Sequence, residues 1–192
     1  MNPTMKLLAA GLAPLFLLSS CAFEPGTRIN QASISASKLE ANSRAALDQL
    51  YEKHPKARQL GSQAKAVLVF PRVRKAGFLA GVQAGNGTLF IDGKASRFYQ
   101  TAGASYGLQA GVQQFGYALF AMDDTALNQL DSVEGWEFGS APSVVVLDQG
   151  MAGTLSTTSL RSGTYAVFFN QKGLMGGLGL QGTKITRIYP KN

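Results

Sequence analysis

The chain has 192 residues, with 18 lysines and arginines against 11 acidic side chains, one histidine and one cysteine. One cysteine excludes an intramolecular disulfide, and one histidine with one cysteine cannot build a zinc site. The net charge of +7 suits an anionic partner surface, such as phospholipid headgroups, lipopolysaccharide or nucleic acid.

The chain opens with Lys6, a leucine-rich run from Leu7 to Leu18, and the small pair Ser19-Ser20. Basic start, short apolar core and small residues at a cut site are the parts of a secretory leader. The run is too short to cross a bilayer, which takes about 20 apolar residues. Leu18-Ser19-Ser20-Cys21 resembles the bacterial lipobox. That resemblance implies that Cys21 is lipidated, palmitate included, and becomes the first residue of the mature protein. The alternative is an ordinary leader with a spare thiol, but a lone exported cysteine fits an anchor better than a disulfide. Removing residues 1–20 takes away Lys6 and leaves 172 residues, with 17 basic and 11 acidic side chains and a net charge of +6. Export argues against nucleic acid as the partner. Ala22 follows the cysteine. By resemblance to lipoprotein sorting signals, the absence of aspartate there favours the outer membrane, with the protein on its periplasmic face.

Residues 22–26 read as a tether, and residues 27–192 as one domain. From Thr27 to about Tyr51, Ile29, Ala32, Ala36, Leu39, Ser43, Ala46 and Leu50 recur in steps of three and four, which predicts an amphipathic helix with Thr27 as its cap. The small residues in this stripe point to docking on the protein's own body, with a membrane-facing helix as the alternative. Pro55 ends the element and can start a second, Pro55–Gln63.

After Lys65 the period changes. Ala66–Phe70 reads as a buried strand that Pro71 ends. Gly77–Ala84 and Thr88–Asp92 read as strands joined through Gly85-Asn86-Gly87, and Asp92-Gly93 as another turn. A glycine-spaced stretch from Phe98 to Gln113 precedes the apolar Phe115–Met122. Asp123-Asp124 caps a predicted helix, Thr125–Leu130. Ser143–Leu147, Tyr165–Phe169, Leu174–Leu180 and Lys184–Tyr189 read as strands, with turns at Gln149-Gly150, Gln171-Lys172-Gly173 and Gln181-Gly182. The expected fold is therefore α+β and mainly β. It is an antiparallel, glycine-rich barrel or sandwich with an N-terminal amphipathic helix and a short internal helix.

Several catalytic patterns fail on context. Gly103-Ala104-Ser105-Tyr106-Gly107 matches a nucleophile elbow, but the flanks are strand-like and His54, the sole histidine, precedes Ser105. Gly177–Gly182 matches a dinucleotide fingerprint with no room for the helix that must follow. Gly87 to Lys94 has one residue too many for a phosphate loop. Asp123 and Asp124 read as a helix cap, with weak calcium binding as the alternative. No cofactor is expected, and the chain reads as non-enzymatic.

What remains is Pro71-Arg72-Val73-Arg74-Lys75, three positive charges in five residues between Phe70 and Phe78. Read as a turn between two strands, it offers Arg72, Arg74 and Lys75 to lipid headgroups, with the rings entering the interface. The competing reading is a solvated turn with its aromatics in the core. Ala64–Phe78 resembles the opening signature of the SYLF domain. So do the segment through Gly85-Asn86-Gly87-Thr88-Leu89, Tyr106–Gln113 and Gly173-Leu174-Met175-Gly176-Gly177. The resemblance covers most of residues 27–190 and implies a lipid-binding module. Eukaryotic members bind phosphoinositides through an amphipathic helix and basic residues, and a yeast member binds actin. Export by a bacterium argues against actin and makes anionic phospholipid the expected lipid. The expectation is a lipid-anchored envelope protein that binds anionic membranes. The alternative is a structural lipoprotein that docks an envelope protein partner.

Anchoring is directly testable. Cys21→Ala should leave the protein without incorporated radiolabelled fatty acid and release it from the membrane fraction; label retained by the variant would refute the lipobox reading.

Overall fold

The computed structural model describes residues 34–130, 136–137, 144–147, 163–173 and 183–191. The leader, Cys21, Thr27 with Ile29 and Ala32, the expected strand 174–180 and the Gly177–Gly182 pattern lie outside the described residues.

The first helix, α1, runs Ala36–Lys53 and begins nine residues after Thr27. Its cap is Ser35, whose backbone is extended and whose hydroxyl accepts from the Lys38 N–H at 3.4 Å. Leu39, Ser43, Ala46 and Leu50 are its buried residues, as the stripe predicts. Pro55 cannot continue α1 and instead occupies the first turn of α2 (Pro55–Gln63), where its missing N–H costs nothing. The helices dock on the protein's own sheet. Ala46, Leu50, Ala57 and Leu60 share an apolar cluster with Val67, Val69, Phe90, Phe120 and Phe169. Arg44 fastens the outer side: it donates to the Gly93 carbonyl at 3.1 Å, pairs with Glu40 and lies 4.8 Å over the Phe90 ring.

Two long strands carry the fold. Strand β1 spans Ala66–Ile91 and β2 spans Lys94–Ala121, paired antiparallel along nearly their whole length. Two expectations fail here. Pro71 does not end a strand, because a register shift between Phe70 and Val73 absorbs the residue that cannot donate to the ladder. Gly85-Asn86-Gly87 is not a hairpin turn but continuous strand. A Cβ at Gly85 would stand 2.6 Å from the Arg72 carbonyl oxygen, so glycine is there because another part of β1 crosses close by. The hairpin turns at Asp92-Gly93, whose φ values of 50° and 73° are both positive, as a type I′ turn requires.

The hairpin folds over on itself. The first arm of β2 pairs with β6 (Thr183–Ile188) and its second arm pairs with β5 (Thr164–Gly173). Tyr117 in the second arm donates to Thr101 in the first at 2.8 Å. Sixteen residues of straight strand would hold them about 53 Å apart. The bend falls near a second register shift, Phe78/Ala80, where a Cβ at Gly77 would sit 2.5 Å from the Ala80 carbonyl oxygen. Between the arms lie Phe70, Val73, Leu89, Tyr99, Phe115, Tyr117, Phe168 and Ile185. Phe70 stacks on Tyr117 at 4.7 Å between ring centroids. Burial pushes the Tyr117 hydroxyl well above its ordinary pKa.

The remaining strands are β3 (Trp136–Glu137), beside β6, and β4 (Val144–Leu147), which pairs parallel with β5. The sheet is otherwise antiparallel. It does not close into a barrel, so within the expected α+β, mainly β class a sandwich or open sheet is the form that fits. The short helix α3 is Asp124–Leu130, with Ala126 and Leu130 buried. Asp123 caps it. One carboxylate oxygen accepts from the Ala126 N–H at 2.7 Å and the other from the Gly163 N–H at 2.8 Å. These two bonds hold its pKa below the ordinary carboxylate range.

Leu39 is only 2 % exposed, so Leu39→Asp should cost about 3 kcal/mol in urea unfolding, by burying an unpaired charge; an unmoved midpoint would mean that α1 is not held to the sheet. Asp123→Ala should cost about 1–2 kcal/mol at neutral pH. A carboxylate with a depressed folded pKa contributes fully above its unfolded value, about 3.9, and loses that contribution as pH falls through the folded value. The gap between wild type and Asp123→Ala should therefore persist at pH 6 and shrink in unfolding curves below about pH 4. A gap independent of pH would show that the two N–H bonds do not depend on the charge.

Candidate functional site

α1 covers only part of the outer sheet face. Val67 and Val69 lie beneath the helices, and directly after Pro71 the same face continues as Arg72 and Arg74, both exposed. Here α1 and the sheet enclose a groove of about 760 Å³. The helix contributes Asn42, Gln49 and Lys53 to it, β1 contributes Arg72, Arg74 and Asn86, and β5 contributes Asn170 and Lys172. Four cations thus line one concavity, and among the described residues no carboxylate lines it. Among the described residues none of the four meets an acidic partner, whereas Arg44 pairs with Glu40 and Lys65 with Asp124. The floor adds amides and the backbone of Gly85. Cations that diverge along the chain but converge in space form a site for phosphate or a similar anion.

The sequence cluster is divided by the strand. Arg72 and Arg74 alternate with Val73 and Lys75 and face the groove. Lys75 shares the Val73 side, is 5 % exposed and stands opposite Gln113 in the ladder. The three charges therefore do not converge: the expected turn would have let them, and a pleated strand does not. Phe70 is in the core, while Phe78 is 76 % exposed. Lys53 and Lys172 were missed because each is isolated in sequence; only the docking of α1 and the pairing of β5 with β2 bring them to Arg72 and Arg74. Ile34, where the described residues begin, also lines the groove.

The catalytic patterns stay apart from this site. Ser105 is within β2, with Gly81 as its register partner, and not at a strand-to-helix turn. His54 sits between α1 and α2 and lines an adjoining cavity that shares Gln49, Lys53 and Asn170 with the groove, but His54 itself does not line the groove. Asp123 spends both oxygens on backbone N–H groups and Asp124 pairs with Lys65 at 2.8 Å, the arrangement of a cap. Among the described residues no three His, Cys, Asp or Glu side chains gather as metal ligands, and no helix is long and apolar enough to cross a membrane.

The family described as "Ysc84: Las17-binding protein actin regulator" matches residues 102–192. Residues 102–192 are thus similar to the SYLF family, a family known for lipid binding. The matched stretch holds β2 from Ala102 onward, β5 and β6, together with the Tyr106–Gln113 and Gly173–Gly177 segments of the resemblance. Ala64–Phe78 precedes it. No curated protein matches the chain.

Proposed function

We propose that this chain is a lipid-anchored periplasmic protein, held at the outer membrane through Cys21, that binds anionic phospholipid headgroups in the groove between α1 and β1. It does so without catalysis. The observation that carries this reading is the convergence of Lys53, Arg72, Arg74 and Lys172 in a concavity that, among the described residues, no carboxylate lines. Family-level lipid binding supports it. The matched family is described as a Las17-binding actin regulator; an exported chain would meet anionic lipid and not actin.

Magnitudes say why an anchor belongs with such a groove. A basic residue near an anionic bilayer contributes about 1 kcal/mol, so four give about 4 kcal/mol, a dissociation constant of about 1 mM. A free protein is then held only where anionic lipid is itself at millimolar concentration. From Cys21 to Ser35 the chain can extend at most about 50 Å, and Ile34 lines the groove. Tethering on that scale raises the effective lipid concentration to the millimolar range, where the groove fills. Anchor and groove are therefore complementary, and binding is reversible on the groove's side.

The mature chain with Cys21→Ser should sediment with vesicles containing phosphatidylglycerol and not with phosphatidylcholine alone. Binding should fall as salt rises, because exposed charges are screened beyond about 8 Å at physiological ionic strength. Arg72→Gln, Arg74→Gln and Lys172→Gln combined should lower affinity roughly a hundredfold, about 3 kcal/mol. Arg74→Gln should weaken binding more than Lys75→Gln, since only Arg74 faces the groove. Equal sedimentation of wild type and triple variant would refute the headgroup site and leave a protein partner as the better reading.

A further inference from the structure

Beyond the groove, the described outer-face positions of the hairpin are apolar. On β1 the exposed positions after Arg72 and Arg74 are Ala76, Phe78, Ala80, Val82 and Ala84. Their described register partners on β2 are Val112, Ala104 and Ala102, all exposed as well. Phe78, Val82 and Val112 are 76 %, 67 % and 66 % exposed, and they surround the bend at Gly77–Gly81.

The inner face of the same segment is polar. Lys75, Gln83, Gln113, Thr101 and Thr183 are buried there. The Gln83 amide nitrogen donates to the Thr183 hydroxyl at 2.7 Å, while the side-chain oxygens of Gln83 and Gln113 find no partner among the described residues. A strand pair in water places apolar residues inside and polar ones outside. This one is inverted, polar in and apolar out, the alternation that suits a hydrocarbon surround. A protein partner would accept an apolar patch, but it would not call for cations at one end of the patch lining a groove without a described carboxylate. Arg72 and Arg74 lie on the same face of the same strand, immediately before the apolar run.

We propose that the bent corner of the β1/β2 hairpin, Ala76–Ala84 with Val112, Ala104 and Ala102 opposite, is a membrane-insertion face that enters the acyl layer while Arg72 and Arg74 hold phosphates above it. This inference rests on the headgroup reading and adds the depth and orientation of binding. Four residues of strand separate Arg74 from Phe78, a reach of about 13 Å. The polar zone on each side of a bilayer is about 5–7 Å thick. With Arg74 at the phosphates, Phe78 therefore passes through the polar zone into hydrocarbon. Part of the corner's backbone is already paired across the hairpin ladder, Ala76 with Val112 and Val82 with Ala104, which lowers the cost of entry into an apolar medium.

The test uses the mature chain, residues 21–192, with Cys21→Ser; the described fold begins at residue 34. Since Cys21 is the chain's one cysteine, Phe78→Cys or Asp92→Cys then takes a single environment-sensitive fluorophore. On phosphatidylglycerol vesicles the label at 78 should shift to the blue and be quenched by lipids carrying a spin label on the acyl chain. The label at 92, on the distant hairpin turn, should stay in water. Phe78→Ser with Val82→Ser should weaken vesicle binding roughly tenfold and leave the salt dependence unchanged. Both residues are exposed, so circular dichroism should be unaltered. If the protein sediments with anionic vesicles but the label at 78 remains in water, the insertion face is overturned and the headgroup reading stands. If the label enters lipid while Arg72→Gln/Arg74→Gln binds as well as wild type, the headgroup reading fails and insertion stands. A concentration-dependent shift at 78 without vesicles would show a contact between copies and overturn insertion.

Discussion

The hydrogen bond from Tyr117 to Thr101 expresses the constraint on which the rest of this structure depends. It joins two points of one strand, 2.8 Å apart in space and sixteen residues apart in sequence. To make it, β2 must double back and carry β1 with it. A single hairpin thus supplies both arms of the fold, with Phe70, Tyr117, Phe115 and Phe168 packed between them. A buried hydroxyl without a partner is costly, by about 1–3 kcal/mol. The bond therefore helps set how the arms face each other as well as how closely. Burial, which raises the Tyr117 pKa, also keeps this hydroxyl a donor across the ordinary pH range.

The functional surface follows from the same fold. Doubling back brings the Gly85 segment against Arg72, as the 2.6 Å clearance at Gly85 records. The groove wall thus contains two stretches of β1 that are more than ten residues apart. α1 forms the opposite wall because its stripe of Leu39, Ser43, Ala46 and Leu50 is satisfied on the sheet. With its apolar side occupied there, α1 has none left to offer a bilayer. On the proposed reading, membrane contact falls to the sheet itself, to the cations where the helix stops and to the apolar corner beyond them.

This division of labour also limits the strength of binding. The groove's cations are exposed and screened by salt, so each contributes little, and the corner offers only a few large apolar side chains. Neither resembles a permanent insertion. An arrangement of several weak contacts behind a covalent lipid can release and rebind a surface without leaving its membrane. A protein that bridges or samples lipid surfaces has use for that property.

Local order was legible wherever it depended on near neighbours. The stripe from Leu39 to Leu50, the second helix at Pro55–Gln63, the cap at Asp123 and the turn at Asp92-Gly93 all follow from spacing, capping chemistry or φ preference. The mainly β class followed from glycine and apolar punctuation after Lys65, and the SYLF resemblance from its motifs. Features set by distant partners were misread. Pro71 and Gly85-Asn86-Gly87 have the composition of breaks, but a bulge absorbs the first and a crossing backbone explains Gly85. The cluster Arg72, Arg74 and Lys75 is contiguous in sequence, and the period of two in a strand sends Lys75 to the opposite face. By itself the sequence determined the helices, the turn chemistry, the charge and the candidate anchor, because these depend on residues within a few positions of one another. Tertiary structure alone decided which cations meet and that the corner is apolar outside and polar inside. Both depend on where β2 bends and which faces the folded arms turn toward each other, and no local pattern encodes that.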